Sequence, residues 1–176
     1  MTVSIGGATI AGGVVFGNLP LANGLYRRRY SGYFADDVNW FATATLVDSA
    51  VNTSPINDGF DGDSFSVQWL GYFYATTTET YTFYTTSDDA SYLWIGENAR
   101  SGFTTANATV NNGGLHGMVE QSGTVSLVAG NYYPIRIQMG ENAGGDAIEV
   151  RISTATIAKT TDLSLNIFYN IYTNGF

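Results

Sequence analysis

Residues 64–95 read SFSVQWLGYFYATTTETYTFYTTSDDASYLWI. Phe65, Val67, Trp69 and Phe73 alternate with Ser66, Gln68, Leu70 and Tyr72. Beyond the ATTTE turn, Tyr81 and Phe83 alternate with Thr80 and Thr82. A period of two in β-branched and aromatic residues predicts two antiparallel strands rather than helix. Both deliver the chain to Asp88 and Asp89, at a sheet end where loops meet solvent. Tyr92 to Ile95 then forms a short apolar strand, buried on both faces. The expected fold class is all-β and antiparallel.

Asp88 and Asp89 are adjacent like charges, so an apolar setting for both is costly without a cation or several donors between them. A bound metal is the simplest compensation. A glycosidase acid and nucleophile would have to face each other at about 5 Å or more, whereas neighbours on one extended segment point opposite ways. Trp94 sits inside a continuous apolar run rather than at a loop tip, so it reads as core in preference to a sugar-stacking platform.

Composition bounds the function further. The 176 residues carry a formal net charge of -8 and no cysteine, which suits one acidic β-rich domain that avoids nucleic acid. Disulfides, thiolate metal sites and a Cys nucleophile are excluded. No apolar run approaches the roughly 20 residues that span a bilayer as a helix, so membrane insertion is not expected. His116 is the single histidine, too little for a triad or a zinc site, and it reads as a hydrogen-bonded loop residue.

Toward the C-terminus, Thr124 to Val128 and Tyr132 to Met139 form strands around an Ala129-Gly130-Asn131 turn. Tyr133, Ile135, Ile137 and Met139 share one face, and Ile148, Val150 and Ile152 repeat that pattern after the loop GENAGGD. That loop can also be a Gly-rich turn without a ligand.

The run GYFYATTTETYTFYTTSDDASYLWIGENA, followed by GNYYPIRIQMGENAGGD, resembles the GLEYA adhesin and yeast flocculin branch of the anthrax-protective-antigen-type domains. The resemblance covers roughly Gly24 to Ser153. It is shared with family-like domains in virion proteins of marine and cyanobacterial phages. It implies an all-β fold, an antiparallel β-sandwich of jelly-roll type with extended N- and C-terminal segments, in which a cis-linked Asp pair and a downstream Asn hold a Ca²⁺ that contacts sugar hydroxyls. The matching ligands are Asp88, Asp89 and Asn142, with Gly144 and Asp146 where carbonyl donors are expected. Two carboxylates, one amide, two carbonyls and water give the six to eight oxygens that Ca²⁺ prefers. By the same resemblance, Asp88, Asp89, Asn142, Ala143 and Gly145 would meet a sugar. The aromatic residue that yeast loops often carry here is missing, since Gly145 and Asp146 offer little to stack on a pyranose.

Outside this span the pattern changes. Residues 1–23 read as an N-terminal arm or an edge strand, without a basic n-region or a continuous apolar h-region. Residues 24–153 form the sandwich, and residues 154–176 a C-terminal strand segment that closes the sheet or joins a neighbour's edge. Arg27, Arg28 and Arg29 suggest either a docking strand or a solvated face paired to nearby acids. Residues 35–63 read as loop, where Asp58, Asp61 and Asp63 invite a second Ca²⁺, but their spacing does not match the EF-hand loop and turn-forming Asp-Gly steps explain them better. Asn107-Ala108-Thr109 matches a glycosylation acceptor.

Three functional expectations follow. The first is a non-enzymatic virion protein, a capsid decoration or tail component with embedded Ca²⁺, located in the virion, self-associating and bound to other virion proteins. The alternative is a Ca²⁺-dependent lectin at a cell surface or outside the cell, with a cell-surface glycan as partner. A hydrolase or its accessory module has least support, because no nucleophile, acid-base pair or zinc constellation can be assembled.

Overall fold

The computed structural model describes residues 21–53, 56–58, 62–161 and 168–171. The expectations for residues 1–20 and 163–167 lie outside them. The strands are β1 (Leu21–Asn23), β2 (Leu25–Ser31), β3 (Leu46–Asn52), β4 (Asn57–Asp58), β5 (Phe65–Tyr74), β6 (Glu79–Asp88), β7 (Ala90–Ile95), β8 (Val110–Asn112), β9 (Val119–Leu127), β10 (Tyr132–Glu141), β11 (Ala147–Ser153) and β12 (Phe168–Ile171). One short helix, α1 (Glu97–Arg100), follows β7. Among the described residues no helix is long and apolar enough to cross a membrane.

Two antiparallel sheets face each other. The larger runs β1-β12-β5-β10-β7-β8, with β2 along the other half of β5 and β3 on β2; the smaller runs β4-β11-β6-β9. Between them lie the rows expected from the alternation: Val67, Trp69, Phe73, Ile135, Ile137 and Met139 from the larger sheet, and Tyr81, Phe83, Ile148, Val150 and Ile152 from the smaller. Fully burying each such side chain contributes about 1.5–3 kcal/mol.

The larger sheet has a second cover. β5, β7 and β10 are buried on both faces, because the segments before β3 and after β7 fold over the outer face. Tyr30, Phe34, Val38, Phe41, Ala90, Tyr92, Trp94 and Ala99 form that layer. Trp94 is core, as its apolar setting predicts, and its Nε1–H donates to the Thr104 carbonyl at 3.0 Å and to Asn107 Oδ1 at 3.1 Å. The Asn107 side chain is thus committed to the fold, its Nδ2 donating to the Gly102 carbonyl at 2.9 Å.

Two expectations need correction, and two others gain detail. The two strands expected around the ATTTE turn, β5 and β6, belong to different sheets. β5 needs cover on both faces and is central in the larger sheet, whereas β6 alternates buried and half-buried residues and has one wet face. Residues 35–63 are not all loop, since β3 pairs with β2. Leu46, Val47 and Val51 are all exposed there, so no alternation marks this edge strand. β9 starts at Val119 rather than Thr124, for the same reason: its first residues are exposed on both faces. In the basic triplet Arg27 pairs with a nearby acid, Asp48, at 2.5 Å, as one of the two expected readings has it, while Arg29 lies over Phe65 at 4.7 Å.

β12 lies along β5 and β1 of the same chain, with Phe168 opposite Phe73 and Ile171 opposite Leu21. The terminal strand therefore closes the protomer's own sheet.

Gly123 of β9 sits under the Thr109 carbonyl, where an added Cβ would lie 1.6 Å from the oxygen. Because the obstacle is backbone, Gly123→Ala is expected to destabilise the domain by about 1–3 kcal/mol, while Ser122→Ala at the exposed neighbour stays within about 0.5 kcal/mol. Urea unfolding of the two variants measures the difference.

Candidate metal centre

Three connections switch sheets at one corner. β6 ends in the smaller sheet at Asp88 and β7 begins in the larger at Ala90. β8 leads to β9 from larger to smaller, and β10 leads to β11 in the same direction. The registers place them side by side: Asp88 is opposite Ala147, Ala90 opposite Gly140, Ser91 opposite Asn112 and Ser87 opposite Val119. The Asp88-Asp89 step is therefore flanked by the 113–118 loop on one side and the 142–146 loop on the other. The Asp88–Asp89 peptide bond is cis.

A buried hydroxyl network ties the sheets together beneath the acids. Ser91 Oγ donates to Thr85 Oγ1 at 2.9 Å and shares a 2.7 Å hydrogen bond with Ser87 Oγ. Asn112 Nδ2 donates to Ser87 Oγ at 3.0 Å and to the Val119 carbonyl at 2.9 Å. All four side chains are buried, and their mutual hydrogen bonds offset the cost of desolvating them.

The two loops grip Asp89. Its Oδ1 accepts the His116 N–H at 2.9 Å and its Oδ2 the Asn142 N–H at 3.1 Å. Asp88 lies between the same loops, with Oδ2 3.3 Å from where a Gly145 Cβ would stand and 3.9 Å from that of Gly117. The 113–118 loop is itself held by Asp36, whose Oδ1 accepts the Gly114 N–H at 3.2 Å and the Tyr92 hydroxyl at 3.0 Å.

The third carboxylate is Glu141, which the sequence reading omitted. It is fully buried and neither oxygen has a hydrogen-bond partner; the nearby Asp89 N–H exerts a small stabilising pull on the anion without reaching hydrogen-bond geometry. One ligand oxygen from each of Asp88, Asp89 and Glu141 lies within 4.8 Å of the others. Burial, then Asp89, Asp88 and Asp146, pushes Glu141 up to about 7. Burial also raises Asp88, with Asp89 and Asp146 adding to it and His116 opposing. Tyr33 is pushed up to about 12, chiefly by burial and then by Asp36, Asp89 and Glu141.

The signal for Glu141 was present. The inward row Tyr133, Ile135, Ile137, Met139 reaches it in one more step, and placing it at that end required only extending the strand by two residues.

The other expected residues occupy the adjoining loop. Asn142 is exposed, its carbonyl accepting the Ser64 N–H at 3.0 Å. Gly144 adopts φ +118°, which glycine takes without strain, and its N–H donates to Asp63 Oδ1 at 3.1 Å. Ala143 and Gly145 are exposed and Asp146 is half-buried. Asp146 acts electrostatically on Asp88 and Glu141 but is not one of the three carboxylates within 4.8 Å. Of the second acidic cluster, Asp61 lies outside the described residues, and Asp63 serves the Gly144 loop. On the other rim, Leu115 and Met118 are exposed.

This donor set fits a hard divalent cation. It is all oxygen, one ligand atom from each of three carboxylates lies within 4.8 Å of the others, and the buried Glu141 oxygens have no hydrogen-bond partner, which leaves them available to the oxygen-ligated shell that Ca²⁺ takes. One oxygen of each acid lies within 4.8 Å of the others, closer than the roughly 5 Å or more that separates a glycosidase's two carboxylates.

Residues 65–154 match the GLEYA domain. The A domain of epithelial adhesin 9 from Candida glabrata, solved in complex with Galβ1-4GlcNAc, superposes with TM-score 0.72 at 16% identity, over 91% of this chain and 94% of that one. The A domain of epithelial adhesin 6 from the same yeast, in complex with Galβ1-3GlcNAc, gives 0.69 at 21% identity over 87% and 90%. A PA14 sugar-binding domain from an RTX adhesin gives 0.62 at 13% identity over 78% and 93%. Comparison with curated protein sequences found no match. The structural likenesses establish a shared PA14/GLEYA-type sandwich, and the sequence match, which spans just over half of the chain, makes this protein a member of the GLEYA domain family.

Proposed function

We propose that this domain is a calcium-dependent glycan-binding adhesin module acting outside the cell or at its surface. The observation that carries the reading is the fully buried Glu141 carboxylate, without a hydrogen-bond partner, beside Asp88 and Asp89. Three acids in one coordination sphere are unfavourable alone and favourable around Ca²⁺. In this reading Asp88, Asp89, Glu141 and the Asn142 amide hold the ion, and the Gly144 and Asp146 carbonyls complete its shell. A bound Ca²⁺ would offer open positions to vicinal sugar hydroxyls.

The protein's own residues shape what reaches that ion. Asp88 and Asp89 accept hydrogen bonds from sugar hydroxyls, Ala143 and Gly145 leave an open approach over the loop, and Leu115 with Met118 supplies an apolar rim in place of a stacking aromatic. Support also comes from the adhesin domains of the same fold that were solved with galactose-containing disaccharides. The virion reading, with its capsid or tail partners, draws no support from those comparisons. Binding rather than catalysis is the proposed role.

In titration calorimetry the wild-type chain is expected to bind Ca²⁺, Asp89→Asn to lose it, and Glu141→Gln to weaken it by about tenfold or more. Unchanged affinity in Glu141→Gln would remove that residue from the ligand set. On a glycan array, galactoside binding is expected with Ca²⁺ and lost on chelation; an array without hits, run on Ca²⁺-loaded protein, would overturn the lectin role.

The pH dependence has a definite sign. Glu141 is raised from 4.5 to about 7 in the folded chain, so between those values the native state holds more protons than the unfolded one, and stability falls as pH rises. Metal-free protein should therefore melt higher near pH 5 than near pH 7.5, with Asp88 acting in the same direction. Glu141→Gln should flatten that slope, and saturating Ca²⁺ should reverse it. Differential scanning calorimetry in the presence of chelator, then of Ca²⁺, reads all three.

A further inference from the structure

A cavity of about 250 Å³ opens on the outer face of the larger sheet, and the described residues that line it include two guanidinium groups and no carboxylate. Arg28 of β2 and Arg136 of β10 reach it from either side of Gln68 on β5, with Phe41 and Phe103 as apolar walls and the exposed Asn39 at the mouth. Arg136 lies five residues along β10 from Glu141, about 17 Å at the rise of an extended strand. The cavity is thus distinct from the acidic corner.

Neutral groups help to hold both guanidiniums in place. Arg136 is 8% exposed; its Nε donates to the Ala99 carbonyl at 2.8 Å, its Nη1 to Gln68 Oε1 at 2.5 Å, and its plane lies 4.1 Å over the Phe103 ring. Gln68 Oε1 also accepts Gln138 Nε2 at 3.1 Å, which fixes the amide that orients Arg136. Arg28 lies 5.4 Å from the Tyr30 ring, and its Nε is buried without a hydrogen-bond partner.

Desolvating a guanidinium is costly, and an anion with good geometry offsets the cost. A chain of net charge -8 with only seven Lys and Arg nevertheless sets two of them against one small cavity. Planar guanidiniums match planar carboxylates through paired N–H donors, and the phenyl walls match an apolar body rather than a fully hydrated ion. We infer that this cavity binds a small organic carboxylate, with Arg28 and Arg136 on the carboxylate group and Phe41 and Phe103 against its apolar body.

Benzoate is the probe, titrated into the full ¹⁵N-labelled chain in chelator so that no carboxylate can bind through Ca²⁺. The expected result is saturable shifts centred on Gln68, Phe41 and Phe103, with benzamide and inorganic phosphate at least about tenfold weaker. Arg28→Gln should weaken benzoate by about tenfold or more while melting temperature and Ca²⁺ binding stay unchanged. Should that variant lose stability, Arg28→Lys keeps the charge but not the fork and should still weaken it. No saturable response in wild type, equal response to benzamide, preference for phosphate, shifts confined to residues 113–118 and 142–146, or full affinity in a folded Arg28 variant would each overturn the proposal.

Discussion

The architecture rests on three neighbouring connections that all change sheet at one corner. In the larger sheet β7 lies between β10 and β8, and in the smaller β6 lies between β11 and β9. Whatever residues join β6 to β7 are therefore bracketed by the other two connections. Here those residues are two adjacent aspartates, and the hydroxyl network of Thr85, Ser87, Ser91 and Asn112 locks the sheets together just beneath them. Because the flanking strands are paired on both sides, the loops approach a fixed target, and backbone N–H groups from each reach Asp89. Such preorganisation lowers the ordering cost of binding.

The same corner concentrates negative charge. Burial, the largest influence, raises the proton affinity of Asp88 and Glu141, and the charges of Asp89 and Asp146 add to it at both. A fold that places a fully buried carboxylate there gives up stability in the metal-free state. That unfavourable term becomes favourable when a cation enters, which links ion binding to folding.

The outer face of the larger sheet follows a different logic. There the protein buries Trp94 and Arg136 and half-buries Arg28 under a layer contributed by the segments before β3 and after β7, and it satisfies Trp94 with loop oxygens. The sandwich thus has two polar sites of opposite sign, an acidic corner at a sheet end and a basic cavity on a sheet face. Their separation along β10 allows each to be altered without the other.

How much was legible depended on burial. Strands with one or two buried faces announced themselves: the alternation in β5, β6, β10 and β11 and the apolar run of β7 named the core rows and the all-β class, while the sandwich was implied by the family resemblance. β3 and the first half of β9 did not, because their exposed residues carry no packing constraint and pairing alone holds them in place. At the acidic corner, Asp88 and Asp89 stood out as a charged pair between strands, and the resemblance pointed to the 142–146 loop. Glu141 was missed because its burial depends on a strand running two residues further than the apolar pattern. The sequence by itself determined the inward rows and the position of the aspartate pair, since a period of two depends only on which face is apolar. Which sheet each strand joins, and hence that Glu141 and His116 meet Asp89 and that Arg28 and Arg136 share a cavity, was decided by tertiary structure. Those contacts arise from pairings between strands far apart in the chain, and local periodicity contains no information about partners.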